Sequence, residues 1–341
     1  MNMNNETRGA PLISVIVPVY RTERLFGKCL ESLSRQDHNS FEIILVDDGS
    51  PDGCPQMCDD FASYHPNVTV IHRKNQGLVS ARRAGVCAAR GTYVTFVDSD
   101  DTISPGHISE AAAFLADGKP DVLAFGYTEC SSSGSREILP HPMPGTYCGE
   151  NLKELLGSAM SVAPFFNFGI SPSVWSKCFR RELAAEQLRS VPDELTMGED
   201  AALTYPCLLK SNCVRIAPIH GYLYASDNGG SMTNAFDPAM PARVLKLTEY
   251  LVKSCQNMPG INEYFAFLAL LVCKNQLCRG NMPAAAACSE LRGFFNAPPI
   301  ASALKTASLP LAERLLFSSV RRGSAVLPAL AGAYWRLREN R

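Results

Sequence analysis

Residues 12–20 read LISVIVPVY, a β-branched apolar run too short for a helix and too continuous for a strand with one wet face. Such a run is a strand buried on both sides. Outward from it, Leu25, Phe26, Cys29, Leu30 and Leu33 recur at helical spacing within 23–36 and predict an amphipathic helix. A second apolar run, Phe41–Val46, closes on Asp47, Asp48, Gly49 and Ser50, a polar turn in which glycine permits tight geometry. The alternation continues with a helix near 55–64, a strand at 68–72, a helix at 78–90 and a strand at 92–97. Strands separated by helices predict an α/β parallel sheet covered on both faces. Open sheets of this kind bind ligands beyond the carboxyl ends of their strands, so the loops after residues 46, 72 and 97 define the expected crevice.

Further along, the spacing predicts a strand at 122–127, a turn-rich stretch at 131–149, helices at 151–160 and 197–209, an extended segment at 214–224, and mostly helix from 241 onward. No internal repeat or low-complexity segment interrupts the chain. Its 341 residues accommodate a full catalytic domain and a smaller C-terminal part. With 32 basic and 33 acidic residues there is no electrostatic footprint for nucleic acid. Residues 1–10 lack the basic start and apolar stretch of a signal peptide, which predicts a cytoplasmic location. The longest apolar run, Tyr264–Cys273, falls short of the roughly 20 residues a membrane span needs. Thirteen cysteines, an odd total without a Cys-x-x-Cys pair, predict free buried thiols rather than a disulfide framework. Neither Cys54 with Cys58 nor Cys273 with Cys278 has the histidine pair that would complete a zinc site.

Asp98, Ser99, Asp100 and Asp101 directly follow the apolar strand Tyr93–Val97. Three clustered carboxylates repel one another unless solvated or neutralised, and a hard cation, Mn2+ or Mg2+, shared with diphosphate oxygens is a fitting neutraliser. The other reading is that Asp101 and Thr102 cap the next helix. Asp47 and Asp48 end a neighbouring apolar strand, and strand order decides whether both acidic loops share one edge; alone, they read as an acidic turn. Glu199 and Asp200 open a helix, where the macrodipole by itself favours negative charge. After His72, the basic pair Arg73 and Lys74 reads either as a phosphate contact or, the preferred reading, as solvated. Residues 305–341 hold seven lysines and arginines against two acids, interleaved with leucine, phenylalanine, tyrosine and tryptophan. That composition fits an amphipathic surface for an anionic membrane, or a helical cap on the catalytic domain.

Ser14–Tyr20 (SVIVPVY), Glu42–Ser50 (EIILVDDGS), Asn75–Arg82 (NQGLVSAR), Gly91–Asp101 (GTYVTFVDSDD), Val174–Arg180 (VWSKCFR) and Gly198–Asp200 (GED) form an ordered series. In order and spacing it resembles the motifs of the family 2 inverting glycosyltransferases, over residues 12 to 226. The resemblance implies a GT-A, Rossmann-like fold and a metal-dependent transfer from a nucleotide-diphosphate sugar to a saccharide or lipid-linked acceptor, in cell-surface polysaccharide synthesis. It also implies roles. Pro18 and Tyr20 line the nucleotide pocket, Asp48 contacts base or ribose, and Arg82 lies near the base. Asp98 holds the ribose side, Asp100 reaches the metal, and Asp200 is the general base with Glu199 beside it. Apart from the resemblance, Trp175, Lys177 and Arg180 are candidates for contact with an acceptor or its phosphate, although a loop tryptophan also serves to anchor a lid against the core.

Two departures concern donor preference: Arg83 stands where many relatives have asparagine, and Thr102 where an aromatic is common. The glutamine-x-x-arginine-tryptophan signature of processive synthases is reduced to Gln276–Gly280 (QLCRG), which implies single-sugar transfer. A nucleotidyltransferase would be expected to keep a glycine-rich phosphate loop near the first strand, and none is present. A non-catalytic relative would bind nucleotide sugar without turnover, or scaffold a polysaccharide complex. The expected organisation is a disordered N-terminus at 1–11, a catalytic domain at 12–230, and a helical domain at 231–341 with a basic amphipathic end, located in the cytoplasm or peripherally on the inner membrane face.

Overall fold

Every residue of Ile13–Val19 (β1) is buried, as a strand covered on both faces must be. In the computed structural model, which describes residues 11–37, 40–163, 167–226, 235–280 and 283–339, this strand organises the main sheet. It pairs in parallel with Phe41–Asp47 (β2), which pairs with Val68–His72 (β3), and on its other side with Tyr93–Phe96 (β4). The chain continues through Thr102–Ile103 (β5), Val122–Phe125 (β6), Tyr127–Ser131 (β7), Gly134–Ile138 (β8), Gly145–Cys148 (β9), Lys177–Arg180 (β10), Cys213–Ala217 (β11) and Tyr222–Ala225 (β12). The main sheet runs β3-β2-β1-β4-β10-β6-β11-β9, and a smaller one runs β5-β12-β7-β8. β10 is antiparallel to both its neighbours, and β9 is antiparallel to β11. Residues 1–10 of the N-terminal segment expected to be disordered lie outside the described residues.

Helices Glu23–Ser34, Cys54–Tyr64 and Leu78–Ala88 fall where the periodicity places them. The first buries Phe26, Cys29, Leu30 and Leu33. The third rides close on β1: a Cβ at Gly85 would collide with the Ile16 side chain. The chain divides into two compact units. One comprises the described residues of Met1–Leu152 with Ser173–Glu194 and Lys210–Asp227, and it contains both sheets. The other gathers Lys153–Pro172, Leu195–Leu209 and Asn228–Arg341. Two segments before residue 230 are therefore grouped with the C-terminal helices. In this second unit, Asn275–Arg279 forms a π-helical turn in which Asn275 donates to the Ala235 carbonyl at 2.8 Å and Gln276 to the Asp237 carbonyl at 2.7 Å. No helix among the described residues is long and apolar enough to cross a membrane.

Three local expectations are corrected. The stretch 131–149 holds β8 and β9, whose largely exposed residues present no apolar alternation to read. Residues 214–224 are two strands in two different sheets, β11 and β12. Cys148 and Cys213, opposite each other in register on β9 and β11 with Cα atoms 4.5 Å apart, form a disulfide. Partners 65 residues apart meet only through strand pairing, which leaves no local signal.

His107 opens helix His107–Ala116 and is buried, with its ring against Phe125 at 5.2 Å and Nδ1 without a hydrogen bond. Burial pushes its pKa down to about 4. Because the folded value lies below the unfolded one, the native state binds fewer protons, and stability present above the ordinary histidine range is lost as pH falls toward 4. Between pH 7 and 4.5 this residue should cost about 2 to 3 kcal/mol. Urea denaturation of wild type and His107→Leu at both pH values should show that difference shrinking in the variant; equal acid sensitivity in both would refute the assignment.

Candidate active site

In the order β2-β1-β4 the chain leaves β1 toward β2 on one side and returns to β4 on the other, which opens a crevice at the carboxyl ends. Both acidic loops therefore share that edge. The Asp48 N–H donates to the Val19 carbonyl at 3.0 Å, and the Val97 N–H to that of Ile16 at 3.0 Å. Pro18 is buried within β1, while Tyr20, just past its end, is 41 % exposed with the Arg21 guanidinium 5.2 Å from its ring.

Asp47 and Asp48 have distinct tasks. Asp47 accepts from the Ser50 N–H at 2.9 Å and meets His72 Nδ1 at 3.0 Å, and with Asp59 it raises the His72 pKa. Asp48, 3 % exposed, accepts from the backbone N–H of Gln76 at 3.2 Å and of Gly77 at 2.8 Å, and pairs with Arg73 at 3.1 Å. Arg73 is not solvated as expected. It also donates to the Ser80 carbonyl at 2.7 Å and hydroxyl at 2.6 Å, so Asp48 and Arg73 together lash the loop after β3 to the start of helix Leu78–Ala88. Removing one partner of such a buried ionic network costs about 3 kcal/mol. Asp48→Ala should lose that much stability in urea denaturation, and a loss under about 1 kcal/mol would contradict the network.

That helix carries Arg82, 3 % exposed, with Nη2 at 3.5 Å from Asp98 Oδ1 and its guanidinium 5.7 Å from the Phe96 ring. Asp98 is half-buried, Asp100 is exposed and Asp101 is buried. The loop is held from two sides, by Thr22 and by strand β12. Thr22 donates to the Ser99 hydroxyl at 2.9 Å, the Asp98 N–H donates to the Tyr222 hydroxyl oxygen at 3.2 Å, and the Tyr222 O–H donates to Asp101 at 2.7 Å. The Ala225 N–H completes the Asp101 contacts at 2.9 Å. Burial drives Asp101 up to about 7, and the charges of Asp98 and Asp100 push the same way against these hydrogen bonds.

Trp175 stacks on Tyr222, with centroids 4.4 Å apart, and on Tyr224, and meets Tyr127 edge-on at 4.8 Å. Lys177 is 1 % exposed and donates to the Ser173 carbonyl at 2.7 Å and the Ser176 hydroxyl at 3.0 Å. Trp175 thus backs Tyr222, which holds the acidic loop, while Lys177 ties down the turn at 173–176 that precedes its own strand. The partnership of Tyr222 with Asp101, and of Thr22 with Ser99, had no signal in the sequence, since each links residues far apart in the chain.

Among the described residues, no group of three or more histidine, cysteine, aspartate or glutamate side chains is placed to hold a metal ion. The donor set does not form an all-protein cage. It fits a cation that takes one or two carboxylates from the protein and its remaining ligands from diphosphate and water, as Mg2+ characteristically does. The loop carboxylates nearest solvent are those of Asp100, exposed, and Asp98, half-buried, whereas Asp101 is buried and engaged by Tyr222 and Ala225.

Glu199 and Asp200 belong to the second unit. They are half-buried in the first turn of helix Glu199–Lys210. Gly198 before them has φ +71°, and a Cβ there would collide with Leu247, so only glycine admits this entry. Their charges add to burial in raising the Tyr264 pKa. The first unit thus carries Pro18, Tyr20, Asp48, Arg82, Asp98, Asp100, Trp175 and Lys177; the second carries Glu199 and Asp200.

The profile of glycosyl transferase family 2 matches residues 14–179. The uncharacterized glycosyltransferase EpsJ of Bacillus subtilis is 30 % identical over 279 residues, which cover 80 % of this chain and 76 % of EpsJ. Among solved structures, Staphylococcus aureus TarS 1–349 in complex with UDP-GlcNAc superposes with a TM-score of 0.65 at 20 % identity, over 96 % of this chain and 92 % of that one. The mannosyltransferase PcManGT from Pyrobaculum calidifontis, in complex with GDP-Man and Mn2+, gives 0.51 at 19 % identity, over 98 % and 89 % of the two chains.

Proposed function

The chain belongs to glycosyl transferase family 2 and has its GT-A fold, and from that premise we propose an inverting, metal-dependent and non-processive transfer from a nucleotide-diphosphate sugar to a hydroxyl acceptor. The observation that carries the reading is the acidic loop Asp98–Asp101 at the crevice end of β4, backed by the buried Arg82. Pro18, Tyr20 and the loop fixed by Asp48 frame the nucleotide. Arg82 orients Asp98 toward the ribose. Asp100, exposed at the lip, would hold Mg2+ or Mn2+ together with the diphosphate. When bound, such an ion stabilises the negative charge that develops on the leaving nucleoside diphosphate.

Asp200 is assigned the proton of the acceptor hydroxyl, which becomes acidic only as its oxygen bonds to the anomeric carbon and the bond to the diphosphate breaks. A single displacement inverts the anomeric configuration. Glu199 is assigned to the acceptor side, and Trp175 and Lys177 to the frame of the site. The acceptor is a saccharide or lipid-linked hydroxyl at the cytoplasmic face of the membrane, and the product a cell-surface polysaccharide.

The test is nucleoside-diphosphate release from UDP, GDP and dTDP sugars by the full chain, with Mn2+ or EDTA and with membrane extract as acceptor source. Cation-dependent release from one donor class is expected. Either of two results would overturn the proposal: donor binding without turnover, which favours a nucleotide-sugar-binding relative without catalysis, or no binding of any donor, which favours a scaffold.

A further inference from the structure

The end of the chain carries an apolar surface that the core does not use. Helix Leu311–Arg322 already buries Leu316, Phe317 and Val320, yet Leu311 and Leu315 on its outer side are 66 % and 46 % exposed. On helix Val326–Glu339, Val326, Leu330, Tyr334 and Leu337 are 68 %, 63 %, 55 % and 68 % exposed. Their spacing puts them on one face. Between the two helices lies a groove of about 460 Å3 floored by Leu270, Leu316 and Trp335. An exposed apolar face on this scale marks an interaction site.

The charge carried by helix Leu311–Arg322 itself selects the partner. A second cavity of about 510 Å3 is lined by Arg314, Arg321 and Arg322 and by no acidic residue. Arg314 and Arg322 donate to neutral oxygens, the Leu309 carbonyl at 3.2 Å and the Ser318 hydroxyl at 2.6 Å. Glu313 lines the groove as its acidic member. Over residues 305–341 seven basic residues face two acidic ones, in a chain of 32 and 33. A second copy would bring the same excess of positive charge and be repelled. An anionic lipid surface offers both the opposite charge and an apolar interior.

We propose that the outer face of helices Leu311–Arg322 and Val326–Glu339 docks on an anionic lipid bilayer, with the leucines and Tyr334 at the acyl boundary and the three arginines at lipid phosphates. The inference gives the membrane setting of the proposed transferase a physical site and rests on that reading only for its biological purpose. Flotation of the full chain with vesicles of equal parts phosphatidylcholine and phosphatidylglycerol, or of phosphatidylcholine alone, tests it. Binding is expected to the first and not the second, weakening as salt is raised. Arg321→Ser with Arg322→Ser should weaken it about fivefold per arginine, and Leu330→Gln with Leu337→Gln roughly tenfold or more. Nucleoside-diphosphate release should persist in both variants, so failure here is separable from failure of the donor reading. The proposal is overturned by absence of binding to either vesicle, by equal salt-insensitive binding to both, or by sedimentation showing an oligomer that Leu330→Gln dissociates in place of membrane binding.

Discussion

Replacing Asp100 by alanine is expected to lower nucleoside-diphosphate release by roughly 10²–10³-fold, the usual cost of removing one electrostatic stabiliser of a leaving group. The loss should fall on turnover, since Asp98 keeps its contact with Arg82 at 3.5 Å and the loop keeps its tie through Tyr222. Asp100 is exposed while Asp101 is buried and engaged, so alanine there trims a side chain without opening the core. Thermal denaturation should accordingly match wild type. The Mn2+ concentration for half-maximal activity should rise sharply in the variant, because a cation held by so few protein ligands loses much of its affinity with one of them. Turnover within a few fold of wild type, unaffected by EDTA, would remove Asp100 from the metal and with it the metal-dependent reading.

Asp200→Asn is expected to abolish sugar transfer by roughly 10²–10⁴-fold, the contribution of a positioned general base. Asparagine keeps the size of the side chain at the start of helix Glu199–Lys210, so Gly198 can keep its φ of +71° and the helix its packing. Donor binding, measured by calorimetry with the nucleoside diphosphate, should be unchanged. A separation of this kind, with affinity intact and transfer lost, distinguishes a base from a structural acid. Comparable transfer by the variant would move the proton to another group, with Glu199 the first to test.

What the sequence could disclose depended on how local the cause was. β1, β2 and β4 were readable because burial on both faces forces an unbroken apolar run. Strand order was not, since β1 and β4 pair across most of a hundred residues, and that order alone decides that Asp48 and Asp98 share an edge. Arg73 looked like a solvated cation because nothing in His72–Lys74 announces a carboxylate returning from β2. Trp175 was readable as an anchor or as an acceptor contact. Its stacking on Tyr222 and Tyr224 depends on β12, which the sequence did not separate from β11. The acidic tetrad was conspicuous, but the burial of one member, Asp101, became evident only once Tyr222 and Ala225 were seen around it.

The two compact units are interleaved along the chain, with segments 153–172 and 195–209 lent to the second from within the first. On a ribosome this has a cost in time. The helix beginning at Glu199 buries Ala201, Ala202, Leu203, Tyr205 and Leu208, yet partners such as Leu247 and Tyr264 are synthesised dozens of residues later. Until they emerge, that apolar surface has no native cover and is a candidate for chaperone capture. Cutting the gene near codon 230 would make the delay permanent, so the sheet cannot be exchanged between transferases as a simple N-terminal cassette.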